Sequence, residues 1–450
     1  MSEALILNEI ENNREEYIEF LRRLIQTDSY NPPGNEKSVA LEIEKYLKNT
    51  DIKCEIFSFG DNRANLVATL NDNFKGKTLL YNGHMDVVPP GNEDEWKFPP
   101  LSGTIKRKKF IYGRGTTDMK GGLAAIVVAL KILKKLGIKL SGNLIVNAVA
   151  DEETGGEYGT KWCIKNPLNS IKPDFAIISE PSRLKPMPHV ISIGERGRLV
   201  VKIITNGVST HSSWPFMGKN AIYMMSEIIN DLDKIDDYIP KIKPPLSLEE
   251  LKNLMSAAFP SLEILERILI EQPMLSSVLK ALTQFTKSLT IIKGGIKDNV
   301  VPDECEAIID FRLLPGQEIE PILKALRKLI EEDLGYSVKS KPIGDPEEVF
   351  VYIENIQYSE PSYWKDWSKS STLKKFYKIV EKVHSKKPFY LLYPASADAS
   401  HFRNEGYCPE TIMFGPGSGA RAHSTDENIE IQDYINAIKI YTLFAYEFLK

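Results

Sequence analysis

The stretch Leu144–Gly156, LIVNAVADEETGG, decides the fold. An apolar, β-prone run stops at two adjacent carboxylates, Glu152 and Glu153, and a glycine pair follows. A run of this kind reads as a strand buried in an α/β sheet, and such sheets carry their chemistry beyond the strand ends. The layout recurs in TLLYNGHMDVV (78–88), which ends on His84 and Asp86, and in DFAIISEP (174–181), which ends on Glu180. Three expected strand ends therefore carry acids and a histidine.

Outward from these strands the pattern alternates. EEYIEFLRRLIQT (15–27) places Ile18, Leu21, Leu24 and Ile25 on one helical face, and Asn31-Pro-Pro-Gly34 breaks it. SVALEIEKYLKN (38–49) predicts a second helix, and residues 121–136 predict an apolar helix opened by two glycines. Further strands are expected at 53–59 and 64–70. Strands alternating with helices predict an α/β class with a mixed sheet flanked by helices.

The character changes near residue 194, where short β-rich segments begin. Helices at 219–234 and 318–334 and strands at 288–293, 304–312 and 336–341 predict a smaller α+β domain over 194–357. Proline-separated amphipathic pieces near 237–287 predict a helical insertion within it, capping a groove, meeting another subunit or packing on its own domain. A helix at 373–385, a strand at 410–414 and a helix at 431–449 return to the first pattern. The catalytic domain is thus expected to be discontinuous, 1–193 with 358–450.

Composition excludes several classes. With 450 residues and a formal net charge of −4, the interleaved charges offer no field for nucleic acid. The richest basic run, KRKK at 106–109, predicts a solvated hairpin turn. Cys54, Cys163, Cys305 and Cys408 are far apart, which predicts buried free thiols rather than a disulfide framework or thiolate zinc site. The start, MSEALILNEIENNREE, is acidic, and no segment reaches the ~18 apolar residues of a membrane span, so a cytoplasmic protein is expected.

His84, Asp118, Glu153, Glu180 and His423 lie at strand ends or in glycine-rich turns. Two imidazoles and three carboxylates suit a borderline divalent metal such as zinc or cobalt. Two metal ions bridged by one carboxylate would use all five and neutralise gathered negative charge. Asp118, in the turn GRGTTDMKGG just before a helix, is the natural bridge. Asp86 shares the parity of His84 and is expected to hydrogen-bond and orient its ring. Glu152, on the opposite parity to Glu153, is left free as a general base. Singly, each residue has an ordinary structural explanation; the weight lies in their joint occurrence.

The segments GHMDVVP, GRGTTDMKGG, DEETGG and SEPS, in that order, resemble the dinuclear-metal metallopeptidase and deacylase family. That family includes acetylornithine deacetylase, succinyl-diaminopimelate desuccinylase, aminoacylase and carboxypeptidase G. GVSTHSSWPFMGKNAI, DNVVP, DFRLLPG and GPGSGARAHSTDE extend the likeness over essentially the whole chain. The resemblance implies that His84, Asp118 and Glu180 bind one metal and Asp118, Glu153 and His423 the other. It also gives Glu152 the role of base, with a ferredoxin-like lid and dimerisation domain inserted. His211 would polarise the scissile carbonyl, often from a partner subunit, and Asn299 and Arg312 would contact the carboxylate end of the substrate. His189, His384 and His401 match no ligand position.

Two departures qualify the likeness. The insertion near 237–287 is absent from compact members and alters the surface on which a homodimer would rest. Glu180, where other branches carry Asp, tilts the reading toward deacylases and carboxypeptidases. The expected activity is hydrolysis of N-acyl amino acids; release of a C-terminal residue from peptides is the rival. A binding protein that keeps the fold without hydrolysis is the alternative of another class.

Overall fold

The computed structural model describes residues 2–71, 76–183, 187–342, 345 and 347–450. Its larger sheet has nine strands. They run in the order Lys53–Phe59, Arg63–Leu70, Asn143–Val149, Thr78–His84, Phe175–Ile178, Thr411–Met413, Val190–Glu195 and Ser362–Tyr363. Phe389–Tyr393 also pairs with Val190–Glu195. The middle strands Asn143–Val149, Thr78–His84, Phe175–Ile178 and Thr411–Met413 are mutually parallel. Their carboxyl ends therefore leave the sheet on one side.

Every residue of Thr78–His84 and Asn143–Val149 is buried. Leu79, Tyr81, Leu144 and Val146 pack with the helices Lys120–Lys135 and Ile431–Leu449. Leu80, Ile145 and Ile178 face a second core with Cys163, Ile164 and Phe402. Burial on both faces explains why these strands are apolar without strict alternation. At Gly122 a Cβ would stand 2.0 Å from the Ser179 carbonyl oxygen. Only glycine lets the helix begin there, bringing Asp118 against the strand ends.

The smaller sheet runs Thr286–Gly294, Glu304–Leu313, Gly197–Asn206, Phe350–Ser359, Val338–Lys339, with its last pair parallel and the rest antiparallel. Buried residues alternate along Glu304–Leu313. Its apolar face, with Ala307, Ile309 and Phe311 beside Leu199 and Val201, packs against Met224, Ile228, Ile322 and Leu326 of two helices.

Several expectations change in detail. The switch between sheets falls at Arg196, between the strands Val190–Glu195 and Gly197–Asn206, rather than at 194. The long strand Phe350–Ser359 runs through the expected boundary at 357/358. Its sequence, FVYIENIQYS, is polar at its centre and gives a weak strand signal, as an incompletely covered sheet permits. The expected helix 318–334 is Ile319–Lys328 followed by a wider π turn, and the strand at 336–341 shrinks to Val338–Lys339.

The insertion forms the helices Leu248–Ser256, Leu262–Glu271 and Pro273–Ala281. Leu251, Met255, Leu265, Leu275 and Leu279 join the core of the larger sheet, with Tyr363, Trp367 and Tyr390 packed alongside. The insertion therefore lies on the larger unit and not on the sheet from which it departs. KRKK does form a hairpin turn, between Thr104–Lys106 and Phe110–Tyr112, with positive φ at Arg107 and Lys108. All four cysteines are free, and three are buried.

Candidate active site

The parallel strand ends bring the expected ligands together. Asp118 stands between two imidazoles: its Oδ1 is 3.1 Å from His84 Nε2 and its Oδ2 is 3.4 Å from His423 Nε2. Glu180 Oε1 lies 3.8 Å from His84 Nε2, and Glu153 Oε2 lies 3.2 Å from His423 Nε2. Potential ligand atoms of His84, Asp118 and Glu180 lie within 4.8 Å of one another, as do those of Asp118, Glu153 and His423. Among the described residues Glu153 Oε1 is buried without a hydrogen-bond partner. Two triads sharing one carboxylate, with a buried acceptor to spare, fit a pair of divalent cations.

The electrostatics agree with that fit. Burial drives the Glu152 and Glu180 carboxyls well above the ordinary carboxylate range, with neighbouring carboxylates adding to the shift and His84 opposing it. Burial and Asp118 also raise Glu153. Burial opposes protonation of His84, but contacts with Asp118 and Asp86 and the charges of Glu152 and Glu180 raise it well above its usual value. Burial alone would raise Asp118, but hydrogen bonds from His423 and His84 hold it below its usual range. His423 is pushed up to about 10 by Asp118 and Glu153. Without a cation the cluster keeps protons to offset its own repulsion; a bound cation removes that need.

The supporting contacts differ from the expected ones. Asp86 meets the His84 ring through its main-chain carbonyl as well as its carboxylate. The ring Nδ1 is 2.9 Å from the Asp86 carbonyl oxygen and 3.6 Å from the nearer carboxylate oxygen. The strand stops at His84, so strand parity no longer directs Asp86. Its carboxylate also accepts from Asn31 Nδ2 (2.8 Å) and from the Glu152 and Glu153 amides (3.3 and 3.2 Å). Parity likewise does not separate Glu152 from Glu153, because both lie in the 3₁₀ turn Glu152–Thr154 beyond the strand. Glu152 Oε2 faces the cluster, 3.9 Å from His84 Nε2.

Asp151 and His423, both non-glycine, have φ of 70° and 59°. Such backbone strain persists where surroundings fix it, commonly at functional sites. Around Asp151 the fixing contacts are Arg63 (3.1 Å), Thr154 Oγ1 (2.7 Å) and the Tyr158 amide (3.1 Å).

Residue-by-residue reading missed the buried pair Arg114 and Glu427. Glu427 Oε1 accepts from the Thr117 and Asp118 amides (2.8 and 3.2 Å), and Oε2 pairs with Arg114 Nη1 at 2.7 Å. Both residues lie in quoted motifs, but nothing local to either reveals their pairing. Asn31, read only as part of a helix break, holds Asp86. Asp398, raised to about 7 chiefly by burial, accepts from Thr160 Oγ1 at 2.8 Å.

A cavity of about 120 Å³ lies beside the cluster. Glu152, Glu153 and His423 line it, and Arg198, Arg312 and Gln357 of the smaller sheet face them. Asp398 and His401 also line it, although neither was assigned a role from the sequence. His211 and Asn299 are not among its lining residues. They sit beside each other, where the Ser212 amide donates to the Asn299 carbonyl at 3.0 Å. His211 is exposed and bonds Ser213 Oγ at 2.7 Å.

The profile of peptidase family M20/M25/M40 matches residues 80–447. The chain belongs to this family. It is a metal-dependent hydrolase of linear amide or peptide bonds. The probable succinyl-diaminopimelate desuccinylase of Staphylococcus aureus (strain N315) is 30% identical to it over 445 residues, 97% of this chain and 98% of that one. Among solved structures, the metallo-carboxypeptidase Sso-CP2 from Sulfolobus solfataricus superposes with a TM-score of 0.77 at 22% identity, covering 96% and 99% of the two chains. Human carnosine dipeptidase 1 follows at 0.76 and 16%, covering 99% of each. These two show that the family's fold is kept at low identity. Among the described residues no helix of this M20 hydrolase is long and apolar enough to cross a membrane.

Proposed function

We propose that the protein is a cytoplasmic deacylase that cleaves the amide of N-acyl amino acids. The observation that carries the reading is Asp118, with one oxygen toward His84 and the other toward His423. His84, Asp118 and Glu180 would hold one divalent ion, and Asp118, Glu153 and His423 the other, zinc being the first choice and cobalt the second. Such ions polarise the scissile carbonyl and acidify the attacking water.

The remaining work falls to the chain. Glu152 takes the proton of the attacking water and returns it to the leaving amine. Asp86 fixes the backbone that carries Glu152 and Glu153. Arg312 holds the free carboxylate of the amino-acid portion with its planar fork, aligning the bond. The desuccinylase name of a relative 30% identical supports a deacylase over other amide hydrolases.

His211 donates to the developing oxyanion from a second copy of the chain, with Asn299 beside it. Supporting this, His211 lies outside its own cavity. The strand Thr286–Gly294 is an edge of the smaller sheet with Ile291 and Ile292 exposed, and Trp214 and Phe216 are exposed beside His211. Asn299 Oδ1 is buried without a partner among the described residues. The smaller sheet with its two helices would then act as a ferredoxin-like lid and dimerisation domain, and the chain up to residue 195 with that from 360 onward as the catalytic domain.

The test is amide hydrolysis by metal-stripped protein, with zinc or cobalt restored, on N-acyl amino acids and N-blocked dipeptides. Metal-restored cleavage of the acyl amino acids supports the proposal. Cleavage confined to blocked dipeptides replaces it with a carboxypeptidase. No cleavage of either panel despite two bound metals overturns it in favour of a binding protein.

A further inference from the structure

We infer that Arg198 is a second carboxylate-binding residue beside Arg312, so that the preferred substrate carries a second carboxylate. The inference rests on the amide-hydrolase reading above and deepens it. Arg198 on Gly197–Asn206 and Arg312 on Glu304–Leu313 are direct cross-strand partners. Like charges placed directly opposite weaken a strand pair.

Here one carboxylate serves both. Asp310 Oδ2 accepts from Arg198 Nε and Asp310 Oδ1 from Arg312 Nε, each at 2.7 Å. Gln357 Oε1, a neutral acceptor, takes Arg198 Nη1 at 3.0 Å. Arg198 Nη2 and Arg312 Nη1 make no hydrogen bond among the described residues. A third guanidinium, Arg196, is buried close by, and its Nη2 donates to the Gln284 and Arg312 carbonyls and to Thr286 Oγ1. Burial chiefly, with the nearby Arg312 charge adding, holds it down to about 10.

Arg198 and Arg312 line the same cavity as Glu152 and His423. The cavity is therefore acidic where the bond is cut and cationic on the facing wall. One substrate carboxylate satisfies Arg312. Arg198 is half-buried with its Nη2 without a protein partner among the described residues, and a second carboxylate there would gain a charge-assisted hydrogen bond that a neutral substrate does not. An acidic side chain on the amino-acid portion and a dicarboxylic acyl group offer this same chemistry.

The experiment compares two matched pairs with the metal-restored enzyme, N-acetylglutamate against N-acetylglutamine and N-succinylalanine against N-butyrylalanine. The first pair tests an acid on the amine side and the second an acid on the acyl side. The expected result is a kcat/KM at least about tenfold higher for the acidic member of one pair, the scale of one charge-assisted hydrogen bond. In Arg198→Gln that ratio should collapse toward one, chiefly through KM. Arg198→Lys keeps a cation beside Asp310 but lacks the fork, and should lose part of the ratio; this variant decides the matter if the glutamine variant does not fold.

Equal kcat/KM within both pairs would overturn the inference and leave amide hydrolysis standing. So would a ratio unchanged in both variants, which would make Arg198 purely structural. Failure to cleave any of these substrates or blocked dipeptides would instead overturn the hydrolase reading, and this inference with it.

Discussion

The two walls of the cavity are built by opposite means. The acidic wall hangs from four parallel strands buried on both faces, and its side chains reach one another through turns just beyond the sheet. The cationic wall stands on an antiparallel sheet, where Arg198 and Arg312 meet through register and share Asp310. Buried strand ends fix positions closely enough for chemistry. A half-exposed sheet surface fixes charge and alignment and can change from one substrate to another while the cutting machinery stays in place.

The sharpest way to separate the walls is Glu152→Gln, which keeps size and removes the base. Turnover should fall about 10³-fold or more, the upper part of the range for lost general-base catalysis, while elemental analysis still finds both metals. Normal turnover would move the base elsewhere. The support of the acidic wall is tested by Arg114→Met, which leaves Glu427 buried and unpaired behind Asp118. A loss of roughly 3 kcal/mol in denaturant unfolding is expected, as for other broken buried pairs; an unchanged midpoint would mean that Glu427 is satisfied by protonation.

On the cationic wall, Arg312→Ala should cost ~2 kcal/mol in kcat/KM. The loss should be much smaller for substrate amides that lack the free carboxylate. Equal losses on both would remove Arg312 from carboxylate binding.

The smallest effect lies away from both walls and serves as a control. His384, stacked on His189 with ring centroids 3.9 Å apart, is lowered to about 3 by burial and by His189. Its folded value lies below its unfolded one, so the unfolded chain binds the extra proton and stability falls as pH drops below the unfolded value. Between pH 7 and pH 5 the loss from this group should be ~1–2 kcal/mol. His384→Asn should reduce that acid sensitivity in thermal unfolding at the two pH values. An identical pH dependence in the variant would show that His384 titrates normally.

Strand ends that carry their own ligands are legible once the segments are taken together. His84, Glu153 and Glu180 each follow a run whose burial the sequence already announces, and Asp118 precedes a helix opened by glycines. Arg114 with Glu427, and Asn31 with Asp86, were not legible, because each pair joins segments far apart in the chain and neither partner has a local pattern that names the other. The polar centre of Phe350–Ser359 hid a strand that the smaller sheet needs, and its true edge at Ser359 moved the expected boundary.

The sequence by itself determined the α/β class, the buried strands and the residue types gathered at their ends, because hydrophobic periodicity and strand-terminal acids are local properties. Tertiary structure alone decided that Glu427 and Arg114 pair behind Asp118 and that the helical insertion packs on the larger sheet. It also decided that two arginines from different strands share one carboxylate across the cavity. Those facts depend on register, crossing and long-range packing, which no single segment encodes.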